Sequence, residues 1–212
     1  MITAQELKAE TEALLAKRGY PINPHLPLIE EQSDLHIATP IEVRHRCLVL
    51  SGVCARAYGA PYELVSPWMD RHGLRAFCTA SEAALIDAKQ SPESQKAPFR
   101  AQVDALWEFA WVLAMMPIID HFSECSEQLV HMFPKPGEDP TDFVSATQMR
   151  SREELFREAD LLYRIDWGVR NASLRDEKPP TSLPEWVTLY RRQAIDWTID
   201  SRTRWDRVDL ST

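Results

Sequence analysis

Five times along this chain a serine or threonine is followed three residues later by a glutamate: Thr3 with Glu6, Thr39 with Glu42, Thr79 with Glu82, Ser151 with Glu154, and Ser182 with Glu185. In such a pair the hydroxyl accepts from a backbone N–H of the first helical turn, and the carboxylate reaches back to the N–H of the hydroxyl residue. Two donors that every helix start leaves orphaned are thereby satisfied together. Pro40 and Pro184 fall just inside two of these starts, where a missing N–H costs nothing. A chain punctuated this way is committed to helices, and the expected fold class is all-α.

The stop signals agree with the starts. A first helix over about residues 4–18 ends at Gly19, with Leu7, Leu14 and Leu15 facing inward. Residues 20–27 cannot continue it, because Pro21, Pro24 and Pro27 each push the preceding residue toward extended backbone. Further helices are expected over 41–58, before Gly59, over 61–71, before Gly73, and after Thr79. Residues 99–116 are apolar on most faces, with Val103, Leu106, Trp107, Ala110, Trp111 and Leu113, which predicts one central helix weakened or ended at Pro117. A short helix at 129–133 precedes a loop near 134–140, a long helix spans 152–174, and a Pro-rich connection near 176–184 leads to a final helix over 185–199. Residues 48–53 are apolar enough to read as strand or helix. The sum is a single helical domain over 1–212 with about seven to nine helices.

The net charge of -8 opposes general binding to nucleic acid or to an anionic membrane, both of which need a basic face. Residues 150–207 hold 12 Lys+Arg against 11 Asp+Glu, so the remainder carries 12 against 21. A protein partner steered by charge to the first two thirds would therefore be basic. The first residues, Met1-Ile2-Thr3-Ala4-Gln5-Glu6, lack the basic start and apolar stretch of a secretory signal, and the apolar run 109–119 is too short to cross a bilayer. A cytoplasmic location is expected.

Most catalytic designs find no support. Cys47, Cys54, Cys78 and Cys125 form no C-x-x-C pair and read as small buried hydrophobes. His121 and Cys125 would share a helix face at i,i+4, half of a metal site, but no complementary pair is evident, so neither metal nor cofactor is expected. There is no G-x-S-x-G elbow, and the six glycines are scattered without a phosphate-binding loop.

The strongest polar constellation lies on the long helix. Asp160 with Arg164, and Asp166 with Arg170, stand at i,i+4 in the favourable acid-first order. Helical rotation puts Asp160, Tyr163, Trp167 and Arg170 along one side. This is either an ion-pair lattice tied to the last helix through Arg191 or Arg192, or an acid and arginine pocket for a small polar ligand. Beyond the last helix, Trp205 and Asp206 are candidates for a contact surface or for a tail folded back on the body.

The chain resembles a bacterial family known as domain of unknown function 4272. The resemblance is carried by Gly19-Tyr20-Pro21-Ile22-Asn23 with Leu26-Pro27, by Glu42 with Arg46 and Leu50, and by Leu106-Trp107 with Trp111. It continues through Arg150-Ser151, Asp160-Leu161, Tyr163-Arg164 and Trp167, then Arg191, Ala194 and Trp197, to Trp205-Asp206. Three positions depart from the family pattern, where Asp104, Tyr190 and Ser211 stand in place of other acids. The resemblance implies a helical fold and no known activity. The function expected from all these features is a non-catalytic protein-binding role, immunity or regulatory in kind. The alternative is a small-ligand binder or enzyme built on Asp160, Tyr163, Arg164, Trp167, Arg170 and Arg191.

Overall fold

Reciprocal caps are formed at four of the five expected helix starts, led by Thr3, Thr39, Thr79 and Ser151. The fifth is not: Pro184 takes the cap position of the last helix with no side-chain bond, so Ser182 lies two residues too early to serve it. The computed structural model describes residues 2–211. Through them run α1 (Ala4–Lys17), α2 (Pro40–Ala57), α3 (Tyr62–Arg71), α4 (Ala80–Asp87), α5 (Glu93–Ala101), α6 (Val103–Val112), α7 (Thr141–Ser145), α8 (Arg152–Leu174) and α9 (Glu185–Ile199). Short 3-10 turns occur at Leu74–Phe77, Glu127–His131 and Trp205–Arg207. The protein is all-α, with no strand among the described residues beyond one isolated bridge between His36 and Asp200. The ambiguous residues 48–53 are helical, inside α2.

The expected central helix over 99–116 is instead two helices that break at Gln102, the second ending at Val112. Its end is a Schellman turn: Met115 N–H donates to Ala110 O and Ala114 N–H to Trp111 O, both at 2.9 Å. Ala114 occupies the left-handed position of that turn, with φ 54. The equivalent position after α1 is Gly19, φ 71, where no Cβ is strained.

The chain groups into two compact units, the first from Met1–Ala38, Ile118–Glu124 and Arg150–Thr212, the second from Thr39–Pro117 and Cys125–Met149. In the first, α8 packs against α9 and α1. One apolar cluster there joins Ala4, Leu7, Leu35 and Phe156, and another joins Leu15, Tyr20 and Ile165. The Tyr20 ring lies flat where a Cβ on Gly168 would stand, and its hydroxyl donates to Ile165 O at 2.7 Å. That close approach is why α8 carries a glycine in its interior.

In the second unit α2 is the axis, packed by α3, α4, α5, α6 and α7. Its core gathers Leu48, Val49, Val53, Trp68, Met69 and Ile86. One ion pair is sealed beside this core: Arg46 donates to Glu82 Oε1 at 2.6 Å, both side chains being almost fully buried. The same Glu82 caps α4 by accepting from Thr79 N–H at 2.7 Å, so a single carboxylate both starts one helix and neutralises the arginine of another.

Candidate functional site

The polar residues of α8 and α9 build the first unit's candidate site, although not in the combination expected from their spacing. Asp160 and Arg164 are buried and close on one another in a two-pronged pair, Nε to Oδ2 at 2.9 Å and Nη2 to Oδ1 at 2.6 Å. Glu12 of α1 stands 3.5 Å from Arg164. Both carboxylate oxygens of Asp160 are occupied by Arg164, and it is the contact of Arg164 with Glu12 that ties α8 to α1. Trp167 lines a crevice with Arg164 and Glu12 that encloses no measurable volume. Arg191 is fully buried and donates to Asp120 O at 3.1 Å and Ser123 O at 2.9 Å, pinning the 118–124 segment.

A second network lies six residues further along α8. Asp166, fully buried, accepts from Arg192 Nη1 at 2.8 Å and has Arg170 at 3.8 Å. Arg192 also donates to Asp196 Oδ2 at 3.0 Å, to Leu210 O at 3.0 Å and to Ser211 O at 3.1 Å, and Arg170 reaches Leu210 O as well. The tail after α9 is thus tied down through its backbone carbonyls. Trp205 is buried in that tail, edge-on to Trp197 with ring centroids 6.2 Å apart, so its indole anchors the tail rather than facing solvent. Asp206 is exposed and paired with Arg204 at 3.2 Å.

Where the tail passes α8 and α9 it leaves a pocket of about 440 Å³. Leu28, Ile29, Leu35, Ile199 and Val208 give it an apolar wall, and Tyr163, Arg192 and Asp196 a polar one. Glu30, Asp200, Asp209 and Arg207 stand around it, which makes the lining net acidic. Arg192 lies over the Tyr163 ring, 5.0 Å from its centroid.

Asp196 is the unusual group here. Its side chain keeps 22% of its surface exposed, and only Oδ2 is bonded; Oδ1 has no hydrogen-bond partner among the described residues. Desolvation pushes its carboxyl up to about 7, opposed by Arg192 and reinforced by Asp166 and Asp209. Asp166 is raised as well, again by burial. The Tyr163 hydroxyl is raised mainly by burial and, among the described residues, has no hydrogen-bond partner. A half-used carboxyl and a free phenol on one wall leave hydrogen-bonding capacity for something that enters. Of the residues singled out from sequence, Tyr163 and Arg192 line this pocket, and Asp196 completes its polar wall.

The other candidate, the His121 and Cys125 helical pair, does not form, because residues 118–126 are turn and extended chain rather than helix. His121 instead faces Glu158 of α8, Nε2 to Oε1, with both side chains buried. His121 Nδ1 has no hydrogen-bond partner among the described residues.

With fold and site in view, the class of protein is a helical one with a small, acid-lined pocket. The model of the family described as domain of unknown function (DUF4272) matches residues 7–208, and the chain belongs to that family. No curated protein and no solved structure matches it. No helix among the described residues is long and apolar enough to cross a membrane.

Proposed function

We propose that this chain is a non-catalytic binding protein whose first unit receives a basic side chain of a protein partner in the pocket at Tyr163, Arg192 and Asp196. The observation that carries the reading is the unbonded Oδ1 of Asp196 in a lining that is net acidic on one side and apolar on the other. A lysine or arginine has the matching form, an apolar stem ending in a cation. Entry of that cation would compensate the desolvation of Asp196, which Arg192, shared with Asp166, compensates only in part. The acid excess outside residues 150–207 favours the same sign of partner at longer range. A cytoplasmic setting in a bacterium, with an immunity or regulatory role, fits a small acidic binder of this kind and rests on analogy alone.

A second reading has one observation behind it. A carboxyl near neutrality beside a phenol is suited to proton transfer, which would make the pocket an enzyme site. The lining holds no histidine, cysteine or lysine to act with it, and binding is therefore preferred.

Capture from native lysate with wild type and Asp196→Asn side by side tests the proposal. It expects a basic protein retained by wild type at low salt and lost by the variant. Equal retention by both, or no retained protein at any salt concentration, would overturn it.

A further inference from the structure

The second unit contains a pocket of different character, about 260 Å³ in volume, between α2, α6 and the segment that follows the turn Glu127–His131. Ala55, Val103, Leu106, Val130 and Phe133 make its wall almost wholly apolar. Cys54 is at its edge, but burial pushes the thiol up to about 12 and its Sγ–H donates to Phe99 O at 3.3 Å, so it is neutral and no nucleophile. Tyr58 is 63% exposed at the rim and Val130 57%, an apolar surface left open to water.

Lys135 is the single charged residue of the lining. Its ammonium has no partner among the described residues, and no carboxylate lines the pocket to neutralise it. Arg100 approaches the Tyr58 ring at 5.5 Å from outside, but its charge is met by Glu93. Lys135 stands between Pro134 and Pro136, and its backbone is fixed on both sides: Lys135 N–H donates to Glu138 Oε2 at 2.9 Å and Glu138 N–H returns to Lys135 O at 3.0 Å. Trp68 holds the same loop by donating from Nε1 to Glu138 O at 2.7 Å. Lys135 is therefore carried in the lining by a loop whose backbone is restrained, which lowers the ordering cost of bringing its ammonium to a ligand.

We infer that this pocket binds a small amphipathic carboxylate, a medium-chain or aryl monocarboxylic acid, with its apolar body against Val103, Leu106 and Phe133 and its carboxylate at Lys135. Charge selects the anion, because the lining offers one unpaired cation and no acid. Size selects a short body, because the volume falls just under the roughly 300 Å³ at which pockets for drug-sized ligands begin. A basic ligand would leave Lys135 facing its own sign.

Calorimetric titration of the full chain with octanoate, 1-octanol and octylamine tests the inference, with Lys135→Gln and Ala55→Leu as variants. Lys135 is exposed and Ala55 half-buried on a helix that accepts leucine, and circular dichroism checks that both variants fold. Octanoate should bind and octylamine should not. Lys135→Gln should weaken octanoate by about two- to fivefold and leave octanol unchanged, as expected for one partly solvated ion pair. Ala55→Leu, which fills the pocket, should abolish both. No octanoate binding by wild type, or octanoate binding indifferent to both variants, would overturn the assignment. So would sedimentation showing that the apolar rim is covered by a second copy of the chain and freed by Val130→Glu.

Discussion

The two units of this protein both close a buried arginine on a carboxylate, Arg46 on Glu82 in the second and Arg164 on Asp160 in the first, but the first adds a network in which two acids share one arginine. In the second, Arg46 is closed against Glu82, while Arg56 of α2 gives its guanidinium to the backbone carbonyls of Ala60 and Ala88. Arg44 has one carbonyl, Gln148 O at 3.3 Å, and the face of Phe143 at 4.8 Å. Glu82 is itself doubly used, because it also accepts from Thr79 N–H at the start of α4. In the first unit Asp166 and Asp196 share Arg192, and one of their oxygens is left facing a pocket. A buried charge with its partner saturated is structure, whereas one with its partner shared is capacity.

The largest test of that contrast is Arg46→Met. It takes the guanidinium away from the buried Glu82 carboxylate, which keeps its cap bond from Thr79 N–H, and should cost about 3–5 kcal/mol in chemical denaturation. A loss below about 1 kcal/mol would show that the pair is no more than a surface bridge. Asp160→Asn in the first unit should cost less, about 2–3 kcal/mol, because Glu12 remains beside the stranded Arg164. If the two variants ranked the other way, the claim that the first unit holds acid in reserve would fail.

The reserve also predicts a pH dependence with a definite sign. An unfolded aspartate releases its proton near pH ~4, whereas Asp196 in the fold holds it up to about 7. Between those values the native chain binds the extra proton, so stability declines as pH rises, by about 1.4 kcal/mol per pH unit at most for this one group. Asp166, raised in the same direction, adds to the trend. Urea melts at several pH values should show the slope in wild type and a flatter one in Asp196→Asn, whose amide can still accept from Arg192. A smaller effect belongs to neither network: Ala114→Gly should stabilise the end of α6 by about 1 kcal/mol, since a Cβ in the left-handed region is strained. No gain in thermal melts would mean that the turn pays no such strain.

Much of the fold was legible because its signals are local. The cap at Ser151 and Glu154 marks the start of α8, the expected span 185–199 is that of α9, and Gly19 follows the end of α1. The misreadings share one cause, local patterns that compete. Ser182 matched the capping pattern, but Pro184 was already in the extended conformation a cap needs. The apolar run across 99–116 hid a break at Gln102 and a Schellman turn at Ala114 that only backbone geometry reveals. The site was half legible for a related reason. Asp160 and Arg164 announce a pair at i,i+4, and nothing in that spacing says the pair is buried and saturated. Arg192 and Asp196 stand at the same spacing, yet the pocket beside them exists because residues 203–209 fold back from further along the chain.

The central claim, that Asp196 is held protonatable because the pocket awaits a cation, is tested most directly by following the aspartate carboxyl carbons in NMR through pH, assigned by Asp196→Asn. The titration is run alone, with n-butylguanidinium, and with the neutral isostere n-butylurea. The account predicts a free midpoint near 7, falling by about one unit or more with saturating guanidinium and unmoved by the urea. A free midpoint in the ordinary range near ~4, or one that guanidinium leaves in place, would contradict it.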